Sequence, residues 1–155
     1  QTREIIIINQ NIDPILSSLL KECEIIERNN EIYKRIIEKI LKVIGNNKDD
    51  NKFNNFIISY SKKYNTNIIK LGNVRFGLDR HKSILFKYLC DNIGLNCCIV
   101  RKNTINNEEF IIEDHCWNLI QIDNNKLVVD FRFYNGNIIE PLDNFTKEYY
   151  KINLI

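Results

Sequence analysis

The 155-residue sequence predicts an α+β fold, helices packed on an antiparallel sheet, and three observations carry that reading. Apolar residues recur at helical spacing through the first part of the chain. Short strand-like runs fill the last third, and one amphipathic segment with helix signals at both ends lies between. The texture changes near residue 65, but no repeat, linker or Pro/Gly-rich boundary divides the chain. The two parts are expected to be layers of one domain over 1–155, a mainly helical 1–65 and a mixed 66–155.

The first helix is announced by Asp13-Pro14, an N-cap followed by proline at the first helical position. Ile15, Leu19, Ile25 and Ile26 then give an apolar stripe to about Arg28. A second helix is expected from Glu31 to Ile44, where Ile32, Ile36, Ile37, Ile40, Leu41 and Ile44 recur between Lys and Glu, with Gly45 at the stop. Phe53, Phe56, Ile57 and Tyr60 mark a shorter third helix. After Leu71-Gly72, "NVRF" reads as extended, and "GLDRHKSILFKYLCDNIG" as a central helix capped by Asp79 and closed by Gly94. "CCIVRK", "HCWNLIQI" and "KLVVDFRF" read as three strands, with Asp123 to Lys126 turning between the last two.

Composition excludes several classes of function. Net charge is +2, too small to imply nucleic acid, and the local Lys/Arg excess from Lys70 to Lys102 reads as a solvated face. The longest apolar run, Ile5 to Ile8, is far short of the ~20 residues that span a bilayer. Asn and Ile are abundant in a way that AT-rich codons alone produce, so the Asn pairs carry no signal. The five cysteines are odd in number and lack CxxC spacing, which argues for reduced thiols in a cytoplasmic, intracellular protein. A chain that starts at Gln1 and ends in "KEYYKINLI" is expected to be a fragment of a larger protein.

Two segments carry a resemblance. "LGNVRFGLDRHKSILFKYLCDNIGLNCCIVR" and "HCWNLIQIDNNKLVVDFRF" resemble the transglutaminase-like, peptidase-like domain of plant Raf-like kinases of the enhanced-disease-resistance and constitutive-triple-response types, and of certain armadillo-repeat proteins. The resemblance implies a transglutaminase-like (cysteine-proteinase-like) fold. In that fold a nucleophilic cysteine sits on the first turn of a central helix, facing a histidine and an aspartate on neighbouring strands. The helix end stabilises thiolate, the imidazole takes the proton, and the carboxylate fixes its tautomer.

Carried over by position, the nucleophile falls on Asp79, the histidine on His115 and the orienting acid on Asp130, with Trp117 and Asn118 as structural neighbours. Acyl transfer through a carboxylate requires a high-energy anhydride, so the expected function is a catalytically degenerate module for protein interaction or regulation, beside a kinase or armadillo repeats. His115 between Asp79 and Asp130 would form a buried ionic triad. That geometry needs a two-residue Asp123-Asn124 turn, which sets Asp130 opposite Trp117; an Asn124-Asn125 turn sets it opposite Leu119, too far from His115. Two alternatives stay open: a hydrolase or acyl-transferase using Cys90, Cys97, Cys98 or Cys116, and a divalent metal held at the three triad positions. Arg75, Arg80, His81 and Lys82 around the helix start are candidates to receive an anion or acidic partner, with solvent exposure explaining the cations equally well and His81 read mainly as structural. No cofactor is expected.

Overall fold

The computed structural model describes residues 3–106 and 111–155. Among them the chain forms β1 (Ile5–Ile7), α1 (Pro14–Glu24), α2 (Ile32–Ile44), α3 (Asp50–Tyr64), β2 (Ile68–Lys70), a 3-10 turn (Leu71–Asn73), α4 (Asp79–Ile93), β3 (Cys97–Asn106), β4 (Ile111–Ile122), β5 (Asn125–Val129), β6 (Ile138–Ile139), α5 (Asn144–Tyr149) and a last 3-10 turn (Ile152–Leu154). The order β3-β4-β5-β6 is antiparallel throughout, while β1 and β2 form a separate parallel pair. The mixed helix-and-sheet architecture is the α+β arrangement expected.

Asp13 caps α1 as its sequence position predicts, and then does more. One carboxylate oxygen accepts the Leu16 N–H at 3.0 Å, and the other reaches 59 residues along the chain to accept the Gly72 N–H at 2.8 Å. A buried cap thus doubles as a clamp on the segment leading to α4. Gly72 is required by that approach, since a Cβ there would collide with the Asp13 carboxylate. In α2 the apolar stripe is buried as its period demands, with Ile36 and Ile40 fully enclosed, and Gly45 ends the helix at φ 93°.

Four expectations need correction. Helix α1 stops at Glu24 rather than near Arg28, leaving Ile25 85% exposed. With 15 residues, α3 is longer than α2, which has 13. The "DFRF" run does not continue the third strand: β5 ends at Val129 because Asp130 Oδ1 accepts the N–H groups of Arg132 and Phe133 and turns the chain. Finally, Asp79 is the first residue of α4 and not its cap, which is Leu78.

The strands split the core into two layers. Ile120, Val129 and Cys97 join Leu85, Phe86 and Leu89 of α4 and the helices α1 to α3 behind it. Val100, Trp117, Leu119 and Val128 face the other way, against Tyr150 and Ile152 of the C-terminal segment. The β4–β5 pairing runs from Asn118↔Val129 to Ile122↔Asn125, so the turn is Asp123-Asn124, with Asp123 in the left-handed region at φ 55°. This is the tighter of the two registers that Asp123 to Lys126 allow, and one more step sets Asp130 across from Trp117.

Candidate functional site

The site is assembled where α4 begins, where β4 passes it and where β5 ends. At the helix start, the backbone N–H of Leu78 donates to Nδ1 of His81 at 2.9 Å, so a histidine side chain supplies the cap expected of Asp79. The Asp79 carboxylate turns instead toward the sheet, where its Oδ2 accepts the N–H of Cys116 at 2.9 Å. That N–H points away from β3, at the place β5 vacates by turning off at Asp130. A buried strand donor and a helix-end carboxylate therefore satisfy each other.

His115, the neighbour of Cys116, is 3% exposed. Its Nε2 stands 3.0 Å from Asp130 Oδ2, at ion-pair distance but off the line of a directed hydrogen bond, and its Nδ1 is 2.9 Å from the Tyr149 hydroxyl. Rings enclose the imidazole, with centroids at 4.6 Å for Phe133, 4.9 Å for Trp117, 6.0 Å for Tyr149 and 6.4 Å for Tyr150. Asp130 is completely buried and spends both oxygens. Oδ1 holds the turn, and Oδ2 faces His115 while accepting the Tyr150 O–H at 2.7 Å. Burial alone would raise the Asp130 carboxyl, but His115, the Tyr150 hydroxyl and the Phe133 N–H outweigh it and hold it below the usual range. The Tyr150 phenol is pushed well up by burial and by that carboxylate.

The structure therefore brings His115 and Asp130 together and gives Asp79 a different partner. The expected ionic triad is corrected: the second imidazole nitrogen meets Tyr149, not Asp79. Among the described residues no three of His, Cys, Asp and Glu are grouped to hold an ion. Trp117 is fully buried and donates its indole N–H to the Tyr150 carbonyl at 3.0 Å, while Asn118 Nδ2 donates to the Ser83 carbonyl at 3.0 Å and ties β4 to α4.

Of the residues around the helix start, Arg80, His81 and Lys82 have partners inside the protein. Lys82 is fully buried and donates to the Asn47 carbonyl at 2.8 Å; burial lowers its pKa to about 8, against the opposing pull of Asp79. Arg80 donates to Glu4 Oε1 through Nε and Nη2, and His81 Nε2 meets the same oxygen at 2.8 Å. Because His81 Nδ1 accepts the Leu78 N–H, its proton must sit on Nε2 and go to Glu4. Burial first, then the Arg80 charge, favours that neutral form, though Glu4 pulls the other way. Burial would raise Glu4, but the hydrogen bonds from His81 and Arg80 and the Arg80 charge bring it to about 2. Arg75 alone stays exposed, with Nη1 donating to the carbonyls of Gly72 and Val74.

All five cysteines are free thiols. Burial pushes Cys23 and, with Asp79 and Asp114 adding to it, Cys116 up to about 11, and contact with Cys97 followed by burial raises Cys90 further. These are conditions for inert thiols, not thiolates. Sequence reasoning missed Glu4, Tyr149 and Tyr150. Only the last two left a trace, in Asp143-Asn144-Phe145-Thr146, where Asp143 accepts the Thr146 N–H at 2.8 Å and starts α5.

A helix end, a strand histidine and a strand-end acid thus lie close together on a helix-and-sheet scaffold. The chain belongs to the family described as EDR1/CTR1/ARMC3, peptidase-like, which it matches over residues 1–139. It is 35% identical over 89 residues to the probable serine/threonine-protein kinase SIS8 of Arabidopsis thaliana, a stretch covering 56% of this chain and 8% of that protein. It is 24% identical over 140 residues to the armadillo repeat-containing protein 3 of Homo sapiens, covering 81% of this chain and 15% of that one. The chain thus corresponds to a small part of each relative's length. Helix α5, with Tyr149, lies beyond the matched residues.

Proposed function

We propose that residues 1–155 form one transglutaminase-like domain whose catalytic positions are silent, and that it serves in an intracellular protein as an interaction or regulatory module for a neighbouring domain or partner. The observation that carries this reading is the fate of the two reacting positions. The nucleophile's place holds a carboxylate engaged with the Cys116 N–H, and the imidazole nitrogen that would serve a nucleophile is engaged by Tyr149. Burial of the neighbouring thiols supports the same view, as does a family found in both a kinase and an armadillo-repeat protein.

Thiol-directed electrophiles test it. The native chain is expected to show no cysteine with accelerated, His115-dependent labelling at neutral pH. Asp79→Cys combined with Tyr149→Phe, which restores a thiol at the helix end and frees the imidazole, is expected to label about tenfold or more faster than a free thiol. Stoichiometric His115-dependent labelling of a native cysteine would instead establish an active cysteine enzyme.

A further inference from the structure

Away from the triad positions, two open clefts that share Arg75 lie beside α2 and α3, the first lined by one exposed phenylalanine. The first, about 800 Å3, is lined in part by Lys42, Lys48, Lys52, Arg75 and Phe76. The second, about 510 Å3, shares Arg75 and is lined by Phe56, Tyr60, Lys63 and Tyr64. Phe76 is 50% exposed and has φ 55°, a left-handed backbone that a bulky aromatic residue seldom adopts. It is held there by Asn47, whose Nδ2 donates to the Phe76 carbonyl at 2.8 Å, and by an edge contact with Phe56 at 6.3 Å. Half of the residue thus faces water at the mouth of the first cleft, where a ligand can reach the ring.

The surroundings identify the kind of partner. Phe56, Tyr60 and Tyr64 continue from Phe76 as a row of rings along α3, and Lys63 lies over the Tyr64 ring at 5.2 Å. The only carboxylate among the residues lining either cleft is Asp49, and none of Lys42, Lys48, Lys52, Lys63 and Arg75 has an acidic partner among the described residues. Arg75 is fixed by its Nη1 bonds to Gly72 and Val74, which orders the guanidinium before any ligand arrives. Neighbouring rings are tilted by 42° to 65°, presenting edges and corners and no run of parallel faces for successive nucleic-acid bases. Rings bordered by cations suit an extended peptide with apolar and acidic side chains.

We propose that this face docks an acidic peptide segment bearing proline or aromatic side chains. Its rings pack against Phe76 and the α3 row, and its carboxylates meet Lys48, Lys52, Lys63 and Arg75. The proposal gives a partner class to the interaction role above and rests on that reading for its purpose, though not for its geometry.

The probe is a fluorescein-labelled peptide of about 12 residues, mostly Glu and Asp with two prolines and a tyrosine, titrated with the 155-residue chain and read by anisotropy. Saturable binding at roughly 10–100 μM is expected. Phe76→Asn, which tolerates the left-handed backbone while removing the ring, weakens it about tenfold. Lys48→Glu with Lys52→Glu weakens it by a similar factor and flattens its salt dependence. No saturation by about 1 mM overturns the proposal, as does unchanged affinity in a Phe76→Asn chain with native circular dichroism, or tighter binding of a thymidine oligonucleotide of equal charge. Failure here leaves the silent catalytic positions untouched, whereas labelling of a native cysteine would overturn those and leave the peptide isotherm as measured.

Discussion

His81 and His115 are equally hidden, at 2% and 3% exposure, and each stands beside a carboxylate, Glu4 or Asp130. What differs is the second ring nitrogen. In His81 it accepts a backbone N–H, so the ring completes a helix end and Glu4 binds the tautomer that this leaves. In His115 it meets only the hydroxyl of Tyr149, on a segment outside the family match, and the ring lies in an aromatic enclosure. A histidine wired to the backbone is part of the frame. One held by the side chains of Asp130 and Tyr149 takes no part in the backbone frame.

The comparison makes Asp130 the most sensitive point, because its two oxygens serve both the turn and the imidazole. Asp130→Ala is expected to cost about 3–5 kcal/mol, read as a lowered urea midpoint, since it strands two backbone donors, a phenol and an imidazole. A loss below that of His81→Ala would break the ranking.

His81→Ala is expected to cost about 1–3 kcal/mol by leaving the Leu78 N–H without its acceptor. Its pH signature separates it further. The folded pKa of His81 lies below the ordinary 6.5, so the unfolded chain binds a proton first on acidification; its stability contribution is complete above 6.5 and drains as pH falls below. Glu4, lowered from 4.5 to about 2, adds a second loss, beginning as pH falls below 4.5. Urea midpoints followed from pH 7 to 3 should fall in both stages for the native chain, and His81→Ala should abolish the first. A native chain with a flat profile between pH 6.5 and 5 would contradict the neutral, cap-forming ring.

The smallest effect is expected at Lys82, where a fully buried ammonium donates to the Asn47 carbonyl. Lys82→Met at pH 7 should change stability by no more than about 1 kcal/mol, because the lost bond and the relieved desolvation offset each other. Since the folded pKa of about 8 lies below the ordinary 10.5, stability of the native chain should rise with pH across that window, and the methionine variant should not show the rise.

Much of this was legible from residue types. Asp13-Pro14 announced α1, the isoleucine period of α2 ended where Gly45 predicted, and the two-residue turn at Asp123-Asn124 was one of two registers open to inspection. The parallel β1–β2 pair was not legible, because three-residue apolar runs such as Ile5–Ile7 fit many environments and parallel partners 63 residues apart leave no local mark. Nor was the partner of Asp79. A first-turn aspartate reads as a cap from local sequence, and only the vacated edge of β4 offers the competing donor. The closure of His115 by Tyr149 depends on where a six-residue helix lands, which no nearby residue determines.

The double duty of Asp130 has a consequence for reading related sequences. Its Oδ1 ends a strand, and would be needed to end it in a protein that catalyses nothing. An aspartate at this position then reports a corner in the chain as readily as a catalytic past. A histidine paired with it is a poor diagnostic of chemistry unless the helix-end position opposite is inspected too.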